Sequence, residues 1–234
     1  MNRINRLGKY LSDHVYDLFV GSIAILNILP VLAPLLAKLG AILPAKAIYT
    51  LYSLFCHQLH WRSMHVCDHQ YGWCSRCTFM WFNILLSVIA VKFFKVKEIK
   101  WYWFIILITP MALDGLVQTV ATMMGITTFT EISYMSSNFM RMFTGSMFGI
   151  GFGLLIFTNL KDVVLLEKGI KDEGRSLSKI IFFIFSMILS FIVYILMIML
   201  WDATSTEYKP DNILDLSVRT PQIDELMIRG KHAL

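Results

Sequence analysis

The chain alternates long apolar runs with short clusters of charge. Leu18 to Ala37 is a 20-residue run without charge, bounded by Asp17 and Lys38. Ile180 to Trp201 adds 22 such residues between Lys179 and Asp202, and Met142 to Leu160 adds 19 after Arg141. Trp73 to Phe94 is apolar except for Arg76 near its start and Lys92 near its end. Trp101 to Thr130 holds one charge, Asp114. A helix needs about 20 apolar residues to cross the hydrocarbon core of a bilayer. The pattern therefore predicts an all-α, polytopic transmembrane helical bundle with five spans. Leu39 to Trp61 is the candidate sixth. It contains only Lys46, but its best stretch, Ala47 to Phe55, is short. It reads as a full span, a re-entrant helix or a helix lying in the interface. The organisation is a polar N-terminal segment over 1–17, the bundle over 18–201, and a polar tail over 202–234.

Composition agrees with a lipid solvent. Apolar residues make up 56% of the 234 and charged residues 16%, against about 25% charged in a soluble domain. The mean hydropathy is +0.61. So few charges exclude a water-facing globule, and 14 Met, 17 Phe and 6 Trp exclude a disordered chain. The basic start (Arg3, Arg6, Lys9) suits a signal peptide, but the run behind it has full span length and no small-x-small cleavage site. It reads as a retained helix.

The net charge of +5 is not a nucleic-acid signal, because the placement of the basic residues matters more than their sum. Lys92, Lys95, Lys97 and Lys100 form one cluster; Lys161, Lys168, Lys171, Arg175 and Lys179 form another. Such clusters mark cytoplasmic loops. The loop from Met123 to Phe139 has no Lys or Arg and is expected outside. The protein is thus expected in the cell (cytoplasmic) membrane, with Cys56 to Arg76 on the extracytoplasmic side. The side of the N-terminus depends on whether Leu39 to Trp61 crosses.

That outer segment carries the chemistry. Cys56, His57, His60, His65, Cys67, His69, Cys74 and Cys77 place eight of the chain's ten Cys and His within 22 residues. Thiolate and imidazole are ligands for zinc, copper or iron. Cys74 and Cys77 form a C-x-x-C at a helix start, on one face and where thiol pKa falls. Three readings stand. Cys74 and Cys77 could close a metal site with Cys56 and one histidine or Cys67. Paired cysteines could exchange disulfides and pass electrons to quinone. Two disulfides or buried thiols could staple a loop to the bundle, which an outside location permits.

Polar groups inside spans are costly unless paired or wet. Asp114 and Gln118 share a helix face; so do Ser137, Asn138, Arg141 and Thr144. Either they pair between helices, with Arg141 as a partner for Asp114, or they line a cleft open on the cysteine side. Gly145, Gly149 and Gly153 repeat every fourth residue, a spacing that lets helix backbones approach closely.

These residues resemble a family of uncharacterised bacterial and archaeal integral membrane proteins, a domain of unknown function. Its pattern joins C-H-Q-x-x-x-R-S and C-x-R-C-T to P-x-x-x-D-G-x-x-Q and S-N-x-x-R-x-x-T-G. This chain has Cys56-His57-Gln58 with Arg62-Ser63, then Cys74-Ser75-Arg76-Cys77-Thr78. It has Pro110, Asp114-Gly115 and Gln118, then Ser137-Asn138, Arg141 and Thr144-Gly145. The likeness covers about Pro30 to Phe157. It departs at Phe79 and Trp81, where the family usually has Gly and Tyr, and near His60, where it usually has Pro. His65, Cys67 and His69 are outside the pattern.

The resemblance implies a membrane bundle and narrows the ligand set to Cys56, His57, Cys74 and Cys77, similar to a Cys3His zinc site. It supplies no reaction. The expected function is a zinc site beside a polar cleft of Arg62, Arg76, Asp114, Gln118, Asn138 and Arg141. That cleft suits an anionic lipid or phosphate group, since Arg binds such groups bidentately. Asp114 would be the base if the metal keeps an open position. The alternatives are a membrane thiol–disulfide/quinone oxidoreductase, using Cys74 with Cys77 and Cys56 with Cys67, and a transporter or assembly factor with a structural metal. Expected partners are the bilayer and an anionic lipid or small solute, with no nucleic acid.

Overall fold

A computed structural model describes residues 3–58, 62–97, 99–124, 136–168 and 177–206. His60, Lys171, Arg175, most of the loop expected outside and the tail from 207 lie outside the described residues. The described elements are α1 (Arg3–Lys38), α2 (Ile42–Ser53), the strands β1 (His65–Val66) and β2 (His69–Gln70), α3 (Ser75–Phe94), α4 (Trp101–Met123), α5 (Asn138–Lys168) and α6 (Lys179–Thr204).

The fold is an all-α membrane bundle. Among the described residues five helices are long and apolar enough to cross a bilayer, within α1, α3, α4, α5 and α6. The sixth candidate resolves as α2, 12 residues long. At 1.5 Å per residue it reaches about 18 Å, short of a core about 30 Å thick. With five crossings, the two ends of the bundle can be identified. Lys92, late in α3, forms an ion pair with Asp17 in α1, and the Tyr16 hydroxyl donates to the Val88 carbonyl at 2.9 Å. The N-terminal half of α1 therefore lies at the end of the bundle that carries the Lys92–Lys100 cluster. Cys74 lies at the opposite end.

Two seams position the site. The first joins α5 to α3. A Cβ on Gly145 would collide with the carbonyl of Arg76, one on Gly149 with that of Met80, and one on Gly153 would lie 2.6 Å from Cβ of Ser87. The four-residue glycine repeat is thus the surface on which α3 lies, and it brings Arg141 beside Arg76. Ile84, Val88, Ile150 and Leu154 fill the core around this contact.

The second seam uses the two prolines of α1. Pro30 has no N–H, so the Leu26 carbonyl four residues earlier lacks its helical donor. The Tyr52 hydroxyl and the Trp73 indole N–H both donate to it, at 3.1 and 3.2 Å. Pro34 frees the Pro30 carbonyl in the same way, and the Gly72 N–H takes it at 3.1 Å. Glycine at 72 suits this close approach, because a Cβ would sit 3.0 Å from Cα of Pro30. The two prolines thus turn one helix into a dock for α2 and for the loop that ends at Cys74.

The short hairpin β1–β2 pairs Val66 with His69, leaving Cys67 and Asp68 as its two turn residues, both with positive φ. That is the type I′ pattern, usually Asn-Gly. The end of α6 holds it: Thr204 Oγ1 accepts from the Cys67 N–H and Ser205 Oγ from the Asp68 N–H. Asp68 accepts in turn from the Thr206 N–H and hydroxyl.

Candidate metal and anion site

Three of the four cysteines converge. One sulfur each from Cys56, Cys74 and Cys77 lies within 4.8 Å of the others. Cys74 caps α3, Cys77 lies one turn further on, and Cys56 arrives from the loop after α2. Gln58 fixes that loop. With φ of +48° it turns its amide inward and donates to the carbonyls of Tyr49 and Gly72 at 3.0 and 2.9 Å. Its own carbonyl accepts from the Gln70 amide at 2.8 Å. The Cys74 N–H then donates to Cys56 Sγ at 3.3 Å, so one helix-terminal donor already serves a sulfur.

The thiols are free and titrate as a unit. S–H groups of Cys56 and Cys77 donating to Cys74, with help from the Arg141 charge, hold the Cys74 thiol well below the usual range. Cys56 is pushed up to about 11, chiefly because its proton is held against Cys74. His57 is exposed and lines the same cavity, but it is not among the grouped ligand atoms. Cys67 stands apart in the hairpin turn, so the expected pairing of Cys56 with Cys67 is replaced by Cys56 with Cys74 and Cys77. His65 is buried against the Trp201 ring, centroids 5.0 Å apart.

The sulfurs open on a cavity of about 450 Å³. Arg62, Arg76 and Arg141 line it together with Gln118, and Phe55, Thr119 and Met123 contribute its less polar wall. Arg76 forms an ion pair with Asp114 of α4. Arg141 was the candidate partner of Asp114; Arg76, whose carbonyl meets Gly145 of α5, takes its place. Asp114 is 6% exposed and stands behind Arg76, outside the cavity wall. Arg141 is 2% exposed. Its Nη1 donates to Asn138 Oδ1 at 3.3 Å, and its Nη2 has no hydrogen-bond partner among the described residues. Asn138 does not line the cavity. Its oxygen also accepts from the Ser75 hydroxyl at 3.0 Å, so it braces α3 against α5 and aims Arg141. Burial lowers the pKa of Arg62, and the Cys74 thiolate opposes that shift.

Sequence reasoning assigned no role to Gln58, Tyr49, Ser75, Gly72 or the proline pair. The usable signal was Pro30 and Pro34 four residues apart inside a span, which frees two carbonyls on one helix face.

Comparison with known proteins agrees with the resemblance. Residues 56–155 match the family described as Predicted membrane protein (DUF2085). The chain is similar to Uncharacterized protein MJ1492 of Methanocaldococcus jannaschii, 38% identical over 79 residues, covering 31% of this chain and 49% of that protein. The chain therefore spans about half the length of the curated relative it matches. No solved structure matches. The likeness to an uncharacterised membrane protein family holds over the residues that build the cysteine cluster and the cavity.

Proposed function

We propose that this membrane protein holds a zinc ion on Cys56, Cys74 and Cys77 and binds a phosphate-type anion in the adjoining cavity. The observation that carries the reading is that three clustered sulfurs and three guanidinium groups wall one space. Sulfur donors at this spacing suit zinc. Three guanidiniums against the one carboxylate of Asp114 leave a surplus of positive charge in a poorly solvated place, which is costly until an anion arrives. Zinc on three thiolates adds only one net negative charge, so the demand for an anion remains. His57, on the cavity wall, is the protein group available as a fourth ligand; without it the fourth position faces the anion. A metal open on that side can polarise a phosphoryl oxygen or a water, so hydrolysis of a phosphate ester is the reaction class that fits. Asp114 acts in this reading by holding Arg76, since it does not reach the cavity. The site lies at the end of the bundle away from the Lys92–Lys100 cluster, which supports an extracytoplasmic face.

Metal content by mass spectrometry, with free thiols counted on the same detergent-purified sample, tests this. About one zinc per chain is expected, lost in the Cys74→Ser, Cys77→Ser variant. The same sulfur cluster favours a second reading, thiol–disulfide exchange with a quinone as oxidant. It requires no metal, missing free thiols and a two-electron step on redox titration.

A further inference from the structure

We propose that the anion in this cavity is the headgroup of a lipid phosphate, which enters sideways from the bilayer between the end of α2 and the last turns of α4. The inference rests on the anion reading above and names its source. The cavity is charged at its depth and apolar at its mouth. Arg141, at the bottom, offers a buried Nη2 with no hydrogen-bond partner among the described residues. At the mouth Phe55 is 69% exposed and Met123 82% exposed, and both line the cavity.

This rim continues outward on both sides. Leu116, Val120 and Met123 repeat at i, i+4 and i+7, so they form one stripe along α4, and all three are exposed. Leu51 and Leu54, on the other side, are exposed at the end of α2. Apart from the exposed His57, a soluble phosphate meets an apolar rim that offers it nothing. A lipid gains from both parts: about 450 Å³ accommodates a glycerophosphate headgroup, while its chains lie along the α4 stripe, still in hydrocarbon.

The test measures binding to the full chain in phosphatidylcholine nanodiscs or in detergent. The probes are dioctanoyl phosphatidic acid, glycerol phosphate, inorganic phosphate and dioctanoyl phosphatidylcholine. The lipid phosphate should bind about tenfold or more tighter than glycerol phosphate, because only its chains add apolar contact. Phe55→Ser with Met123→Ser should remove that advantage, bringing the lipid down to the affinity of glycerol phosphate; both side chains are exposed, so the fold should tolerate the change. Arg141→Gln should weaken all three phosphates. Arg62→Gln, in a loop, repeats that test should Arg141→Gln fail to fold.

Equal binding of glycerol phosphate and the lipid, with no effect of the rim variant, would overturn lateral entry and leave the anion reading standing. Lipid binding indifferent to both arginine variants would place the lipid elsewhere and overturn the inference. No phosphate binding above the phosphatidylcholine control would remove both readings.

Discussion

The seam between α3 and α6 and the chamber at the start of α3 are both polar, yet they are built differently. In the seam Asn83 donates to Ser190 Oγ at 2.8 Å and to the Phe79 carbonyl at 2.9 Å, and the Ser87 hydroxyl donates to the Asn83 carbonyl at 2.8 Å. The groups are small and neutral, and most of their bonds return to a backbone carbonyl one turn away. Such contacts in a membrane contribute only about 0.6 kcal/mol each. The chamber holds three guanidiniums and one ion pair, and charge at membrane depth costs several-fold more. Packing alone explains the seam. The chamber's surplus charge is what the proposed anion would neutralise.

The sharpest way to break that contrast is Asp114→Asn. Removing one partner of a buried ion pair costs about 3–5 kcal/mol, and thermal unfolding in detergent should show a loss of that order. The double variant Arg76→Gln, Asp114→Asn should recover most of the stability but not the anion binding. Recovery of both would make the pair purely structural. Gly149→Ala comes next, because its methyl would meet the Met80 carbonyl. Overpacking of this kind costs about 1–3 kcal/mol, and anion affinity should fall with it as Arg141 is displaced from Arg76. Gly21→Ala, with nothing within 4 Å of the new methyl, is the control.

The Cys74 thiol offers a chemical test in metal-stripped protein. Its pKa is depressed by the neighbouring thiols, so its thiolate stabilises the fold above the ordinary thiol range, and that contribution is lost as pH falls through the depressed value. Iodoacetamide should therefore label one cysteine below the ordinary thiol pKa of about 8.5. Mass mapping should find the label on Cys74, and Cys56→Ala should slow the labelling by removing a donor. Uniform labelling that begins only near the ordinary pKa would dissolve the cluster.

The five spans were legible because charge-free length is a direct physical requirement of the bilayer. Leu39 to Trp61 stayed open between a span, a re-entrant helix and an interfacial one; the structure makes it the 12-residue α2, docked on the Leu26 carbonyl through Tyr52. The cysteine cluster was legible as density. The resemblance named the three sulfurs that meet, Cys56, Cys74 and Cys77; the place of Cys67 was not legible, since Cys67-Asp68 lacks the Asn-Gly form that announces a two-residue hairpin. The partner of Asp114 was ambiguous for a similar reason. Arg76 and Arg141 lie at the same depth, and the choice follows from α5 lying on α3 through Gly145 and Gly149, a pairing that the glycine spacing implies without naming the neighbour.

The smallest effect comes from the seam itself and decides whether the contrast is real. Asn83→Ala and Ser190→Ala remove the two ends of one hydrogen bond between α3 and α6. Their coupling in a double-mutant cycle should be about 0.6 kcal/mol, and neither should change metal content or phosphate affinity. The reason is geometric: Asn83 lies about two turns along α3 from Cys77, and its remaining donor bond goes to its own helix. A loss of zinc or of anion binding in Asn83→Ala would mean that the seam sets the tilt of α3 and hence the aim of Cys77 and Arg76. The two polar regions would then be one device, and the chamber's charge could no longer be read apart from the packing beneath it.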